Sequence, residues 1–330
     1  MLYLIGLGLG SFSDLTIKGL DVLKKCDYVY LDSYTSIFSE ENINELKIAE
    51  KCIFPADREF VEQSSEILDR AKEHDVAFLV IGDPLGATTH SDIILRAVER
   101  NIPYQIIHNA SVITAVGCCG LQLYNFGITV SIPLWDEFGR PESFFDKILK
   151  NLRNGFHTLC LLDIKVKERT LENLLRDRKI FEPPRFMNCF EAVYQIVEAL
   201  NKKSEDLLEW ANPIVKSCIV ISLSRIGSDD QKIIVSRISD VYKARMNLNN
   251  PEVIFGGPPH SIIIPGTIHP LEAEFLLARY QNKVEDQSYL PKFFIFEEDG
   301  YVLHHFKNLL YTHNRTINSI QLRQNTITHL

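Results

Sequence analysis

The stretch VAFLVIGDPLGATTHSD, residues 76–92, passes from an unbroken apolar run to a polar, glycine-containing loop. Val76–Ile81 has strand length and is rich in β-branched and aromatic residues, the pattern of a strand buried on both faces. Gly82-Asp83-Pro84 follows at once, then Gly86, two threonines, His90 and the helix-start pair Ser91-Asp92. A helix-like pattern runs over 93–100. Glycines let a ligand approach the backbone, Pro84 stiffens the loop, and Asp83 offers a carboxylate. Open α/β sheets bind ligands beyond the carboxyl ends of their strands, so this loop reads as a site. On residue chemistry alone, Asp83 either orients a cationic ligand group or caps neighbouring N–H groups.

Working outward, the first third of the chain alternates strand-like and helix-like segments. YLIGL ends in Gly6, Gly8 and Gly10, and Ser13 or Asp14 is expected to cap a helix over 14–26. YVYLDS (28–33) and CIFPA read as strands, 41–50 and 59–73 as helices, and PYQIIH (103–108) as the closing strand. This rhythm predicts a mostly parallel sheet with helices on both faces. AVGCCGLQLY reads as helical. Strands are then expected at 128–135, 157–166, 217–227 and 261–266, with helices at 142–152, 189–202, 205–211 and 269–280. They predict a second α/β domain with a mixed sheet. The expected division is 1–109, 110–278 and an added tail, 279–330. In that tail, FFIFEEDGYVLHHF carries an Asp299-Gly300 hairpin signal, and the polar end reads as frayed or disordered.

Composition narrows the class. With 330 residues, 45% hydrophobic and 24% charged, the chain can bury the cores of two domains. Its net charge of −8 disfavours a basic nucleic-acid-binding surface. No run approaches the ~20 apolar residues of a membrane helix. Seven cysteines without CxxC spacing suit reduced thiols in the cytosol. The histidines and cysteines lack metal-ligand spacing. GLGLG at 6–10, with Asp32 ending the next strand, invites a dinucleotide reading, but Ser11 or Ser13 stands where the third glycine belongs. Walker A and GxSxG motifs are absent, and no residue pattern compels a general base.

Several motifs together resemble one family, the diphthine synthases. They are MLYLIGLGLG, DLTIKGL, YLDSYTS, ADREFVE, GDPLGATTHSD, IHNASV, GCCGLQLY, HTLCLLDIKVKE, EPPR, SRIGSDDQK, PPHS and IHPLE, in order from Met1 to about residue 278. GCCGLQLY, PESFFDK and CLLDIKVKE are most similar to the eukaryotic-type members. The resemblance implies an α/β fold of two domains of the tetrapyrrole-methylase type, with S-adenosylmethionine in an interdomain cleft, and a homodimer. It implies cofactor contacts at Leu9, Asp83, Gly86, Ser111, Val112, Leu162, Ile226 and His260, with apolar walls from Leu9, Val112, Leu162 and Ile226. The implied reaction is repeated methyl transfer to the aminocarboxypropyl-histidine of translation elongation factor 2, three times on the amine and once on the carboxylate. A cytoplasmic enzyme with no direct nucleic-acid or membrane partner is expected. Three alternatives stay open: a trimethylating synthase, a tetrapyrrole-precursor methylase, and a non-catalytic cofactor-binding homologue.

Overall fold

The computed structural model describes residues 1–34, 52–136, 139–202, 218–245, 252–281 and 311–319. The expected helices at 41–50 and 205–211 and the hairpin at 293–306 lie outside the described residues. Backbone contacts divide the chain into two units. The first is Met1–Ala115 together with Ile226–Asp230, and the second is the remainder. The division thus falls six residues beyond Asn109, and a short segment from deep in the sequence returns to the first unit.

The first unit holds β1 (Leu2–Gly6), β2 (Tyr28–Asp32), β3 (Ile53–Ala56), β4 (Val76–Val80) and β5 (Tyr104–Ile107). They form one sheet in the order β3-β2-β4-β1-β5, every pair parallel. Every residue of β4 is buried, as its continuous apolar run requires when both faces are covered. Alternate side chains serve two cores. Leu2, Leu4, Phe78 and Val80 pack with Ile67, Leu68, Ile93 and Ala97 from the helices at 66–73 and 91–99. Ile5, Leu7, Ala77 and Leu79 pack with Leu23 of the helix at 17–25. The helices that follow β1 and β4 therefore leave to opposite faces of adjacent strands. That is a topological switch point, where a crevice opens at the carboxyl ends.

Local details differ from expectation for identifiable reasons. Asp14 does not cap the first helix, because its Oδ2 accepts the N–H groups of Gly10 (2.7 Å) and Ser11 (3.3 Å). It closes a capping box on the short 3₁₀ turn Phe12–Asp14, and Thr16 caps the helix Ile17–Lys25 instead. The stretch 59–73 is two helices, Arg58–Gln63 and Glu66–Glu73, parted at Ser64-Ser65. AVGCCGLQLY forms only 3₁₀ turns after the short helix Val112–Ala115, and Gly120 at φ +100° ends the first of them.

The second unit contains β6 (Val130–Ile132), β7 (Thr158–Leu162), the hairpin β8 (Ile164–Lys165) with β9 (Arg185–Phe186), β10 (Ile219–Ser224), β11 (Lys232–Arg237) and β12 (His260–Ile264). Its main sheet runs β11-β10-β12-β7-β6 and is mixed: only β6 and β7 are parallel. Helices Ser143–Arg153, Cys189–Asn201 and Ile238–Ala244 bury their apolar stripes in one core with Val130, Cys160, Val220 and Ile262. Strand β11 was not foreseen.

A buried polar network ties this unit together. Glu272 Oε1 accepts from Gln122 N (2.8 Å), Asn125 Nδ2 (3.2 Å) and His157 Nε2 (3.2 Å), and Oε2 accepts from His269 N (2.7 Å). Gly266 N donates to His157 Nδ1 at 2.9 Å, so the proton of that ring sits on Nε2 and points at the carboxylate. Burial alone raises the Glu272 carboxyl. The hydrogen bonds from His157 and the two backbone N–H groups outweigh it and bring the pKa down to about 2.

Residues 311–319 are helical and dock on the second unit, in contrast to the frayed end read from their polarity. Ile317 enters the core, and His313 Nε2 donates to Gly266 O at 2.8 Å. Asn314 accepts from Ile268 N through Oδ1 and donates to Ile268 O through Nδ2, both at 2.8 Å. Asn314→Ala will strip a partly buried backbone pair of its partners and lower stability by about 1–3 kcal/mol, read by urea unfolding.

Candidate functional site

Three loops meet at the carboxyl ends of β4, β1 and β5, neighbours in the first sheet. The loops after β1 and β4 continue pairing beyond the strands: Gly82 N donates to Gly8 O at 2.7 Å and Leu7 N to Val80 O at 2.8 Å. Asn109, just after β5, locks the third loop on. Its Nδ2 donates to Gly6 O (2.9 Å) and Asp14 O (3.0 Å). The glycines of GLGLG are thus held in place by both neighbouring loops.

Asp83 joins the loops after β4 and β5. Its Oδ1 accepts from Leu85 N (2.9 Å), and its Oδ2 accepts from His108 Nδ1 (2.8 Å) and Asn109 N (3.1 Å). The side chain is only 13% exposed, whereas His108 is 68% exposed. Desolvation pushes the Asp83 carboxyl up, but the Leu85 N–H, His108 and the Asn109 N–H pull harder and leave it below its ordinary value. The carboxylate therefore caps N–H groups, the second of the two roles open from the sequence. Asp83→Ala is expected to leave the protein folded while both loops lose this tie, read as faster amide hydrogen exchange at Leu85 and Asn109. Unchanged exchange in a folded variant would show that the carboxylate does not hold them.

Gly86 lies against Ser111: a Cβ built there would stand 2.7 Å from Ser111 Cβ and still nearer its hydroxyl. Only a residue without a side chain permits that approach. Ser111 is buried, with its Oγ accepting from Ile113 N at 3.3 Å, and the half-buried Val112 follows. Ile226 and Gly227 return from the second half of the chain to this unit. A Cβ on Gly227 would come within 2.6 Å of Leu9 Cβ, and Gly227 already sits at φ +96°. The first unit thus brings together Leu9, Asp83, Gly86, Ser111, Val112 and Ile226.

Leu162 and His260 belong to the second unit. The register Ser261↔Leu161 puts them at the same end of adjacent strands β12 and β7. The Leu162 side chain packs into the core of its unit. His260 Nε2 donates to Gly256 O at 2.9 Å, which leaves Nδ1 as a bare acceptor. That Nδ1 is buried without a hydrogen-bond partner. Burial holds the ring's pKa down against the opposing Gly256 carbonyl, so it stays neutral. A buried acceptor in this state suits a donor on a ligand.

Asp32 does not serve a ribose. It is 2% exposed and faces the buried His90, Nε2 to Oδ2 at 3.6 Å. His90 is lowered by burial, with Asp32 opposing, and accordingly packs as a neutral ring against Phe78 and Tyr34. His108, which reads as a structurally satisfied histidine at a strand margin, and Asn109 of IHNASV bond to residues 25 and about 100 positions away, a relation that no local pattern reveals.

The model of the tetrapyrrole (corrin/porphyrin) methylases matches residues 1–242. The diphthine methyl ester synthase of Bos taurus is 50% identical over 279 residues, 84% of this chain and 94% of that one. The Saccharomyces cerevisiae protein of that name is 48% identical over 286 residues, 86% and 90% of the two chains. A crystal structure of diphthine synthase superposes with a TM-score of 0.65 at 28% identity, covering 83% of this chain and 94% of that one. A family match over residues 1–242 and identity near 50% over most of both chains place it: the chain belongs to the tetrapyrrole methylase family, among the relatives of the diphthine methyl ester synthases.

Proposed function

We propose that the protein is an S-adenosylmethionine-dependent methyltransferase of diphthamide biosynthesis. Its substrate is the aminocarboxypropyl-histidine of translation elongation factor 2, and its product is diphthine methyl ester, formed by four transfers. The observation that carries this reading is identity near 50% to diphthine methyl ester synthases across almost their whole length. The chain acts in the cytoplasm as a homodimer, without nucleic acid. No helix among the described residues is long and apolar enough to cross a membrane.

The residues present fit the cofactor. In the first unit Leu9, Val112 and Ile226 would supply apolar contacts and Gly86 lets a ligand reach the backbone; in the second, His260 Nδ1 offers an unpartnered acceptor. Leu162 contributes backbone at the end of β7, and Ser111 a short polar side chain. S-adenosylmethionine, when bound, supplies an electrophilic methyl group on a sulfonium. The chain's part is to align the substrate nitrogen or carboxylate with that methyl and to keep water away. Alignment of this kind is worth about 7–11 kcal/mol of barrier at best. Asp83 serves by holding the loops, not by touching the reacting atoms.

Mass spectrometry of elongation factor 2 incubated with enzyme and S-adenosylmethionine tests the proposal. Four added methyl groups on the modified histidine are expected. Three would make the protein a trimethylating synthase. None, on a competent substrate, would leave a cofactor-binding homologue without this activity.

A further inference from the structure

We infer that His108 is the general base that removes protons from the substrate amine. The inference rests on the proposed function and on the geometry of one pair. Asp83 is held as an ionised carboxylate by the N–H groups of Leu85 and Asn109, and a carboxylate only accepts hydrogen bonds. The 2.8 Å contact to His108 Nδ1 therefore requires the proton on Nδ1. That leaves Nε2 as the basic nitrogen, on a ring 68% exposed in the loop just after β5. A buried acceptor that fixes the tautomer, orients the ring and stabilises the imidazolium is the arrangement a general base needs. Asp83 contacts no reacting atom and is a positioning residue. Among the described residues, the buried His157 and His313 are held by Glu272 and Gly266, and the buried His90 packs beside Asp32.

The chemistry calls for such a base in some steps and not in others. The substrate nitrogen enters as an ammonium and must lose one proton before each of its three methylations. His108 Nε2 takes that proton and passes it to solvent. The freed lone pair then forms the N–C bond as the donor's methyl–sulfur bond breaks, and that electron pair stays on sulfur. After the third transfer the nitrogen is quaternary and has no proton left. Esterification follows on a carboxylate that is already ionised, so it asks nothing of His108.

His108→Asn separates the two kinds of step. The asparagine amide N–H can still donate to Asp83 Oδ2, so the clamp survives while the base is lost. His108→Gln is the second variant should the first fail to fold. Two substrates are compared: elongation factor 2 bearing the aminocarboxypropyl-histidine, and the same protein already trimethylated. N-methylation is expected to fall about 100-fold or more. Ester formation on the trimethylated substrate should keep its wild-type rate, and calorimetric affinity for S-adenosylmethionine should not move. Equal slowing of N- and O-methylation would overturn the assignment and leave His108 as a clamp. So would undiminished N-methylation. If the wild-type protein methylates neither substrate, the functional reading itself fails instead.

Discussion

Glu272→Ala will lower the unfolding free energy by about 3–5 kcal/mol, the scale of breaking a fully buried charge-assisted network. Four donors converge on this carboxylate: the Gln122 and His269 N–H groups, Asn125 and His157. All lose their acceptor together, in a site where neither His157 nor Glu272 is exposed. The same network gives a pH signature. The carboxyl is lowered from 4.5 to about 2 on folding, so its contribution is complete above pH 4.5 and lost as pH falls toward 2. A shift of that size corresponds to about 3 kcal/mol of acid-sensitive stability. Urea unfolding of wild type and variant at neutral pH and near pH 3 measures both effects. If the two proteins lose stability in parallel between those pH values, the acid sensitivity arises elsewhere.

Gly86→Ala is expected to weaken S-adenosylmethionine binding about 10- to 100-fold while the fold persists. The added methyl group would lie 2.7 Å from Ser111 Cβ, so the loops after β4 and β5 must part. Overpacking of this order costs about 1–3 kcal/mol, and here the strain falls on the segments of the proposed cofactor site. Ser111→Gly in the same chain removes the colliding atoms and should return the part of the loss owed to the collision, but not the contact of the Ser111 hydroxyl itself. Calorimetric titration reads both variants. Wild-type affinity in folded Gly86→Ala would show that the approach of these loops is not what shapes the binding site.

What the sequence made legible follows from where the physical signal lies. Strand β4 is a continuous apolar run because the sheet is covered on both faces, and the glycine loops announce close backbone approach. The parallel first sheet and mixed second sheet follow from the spacing of such runs. Less was visible where a side chain answers to a distant partner. Asp14 turns back to the glycine loop instead of capping forward. His157 meets Glu272 across 115 residues. The helix at 311–319 buries His313, Thr316 and Ile317 at helical spacing, yet only one of the three is a hydrocarbon. Its stripe is held by hydrogen bonds, which hydropathy does not register. Strand β11 begins in Lys232 and ends in Arg237 at the sheet edge, where only half-buried termini are required.

The return of Ile226–Asp230 to the first unit has a consequence for how that unit comes into being. Its sheet could pair as soon as residue 107 has left the ribosome, but Leu9 and Gly10 still lack the Gly227 turn that closes over them. Chains fold domain by domain during synthesis, N-terminal first. Here the first domain is finished only after β6 to β10 have been made, so its loop cluster matures last. A gene fragment stopping at Ala115 would encode every strand of that sheet and still omit the turn that closes over Leu9 and Gly10.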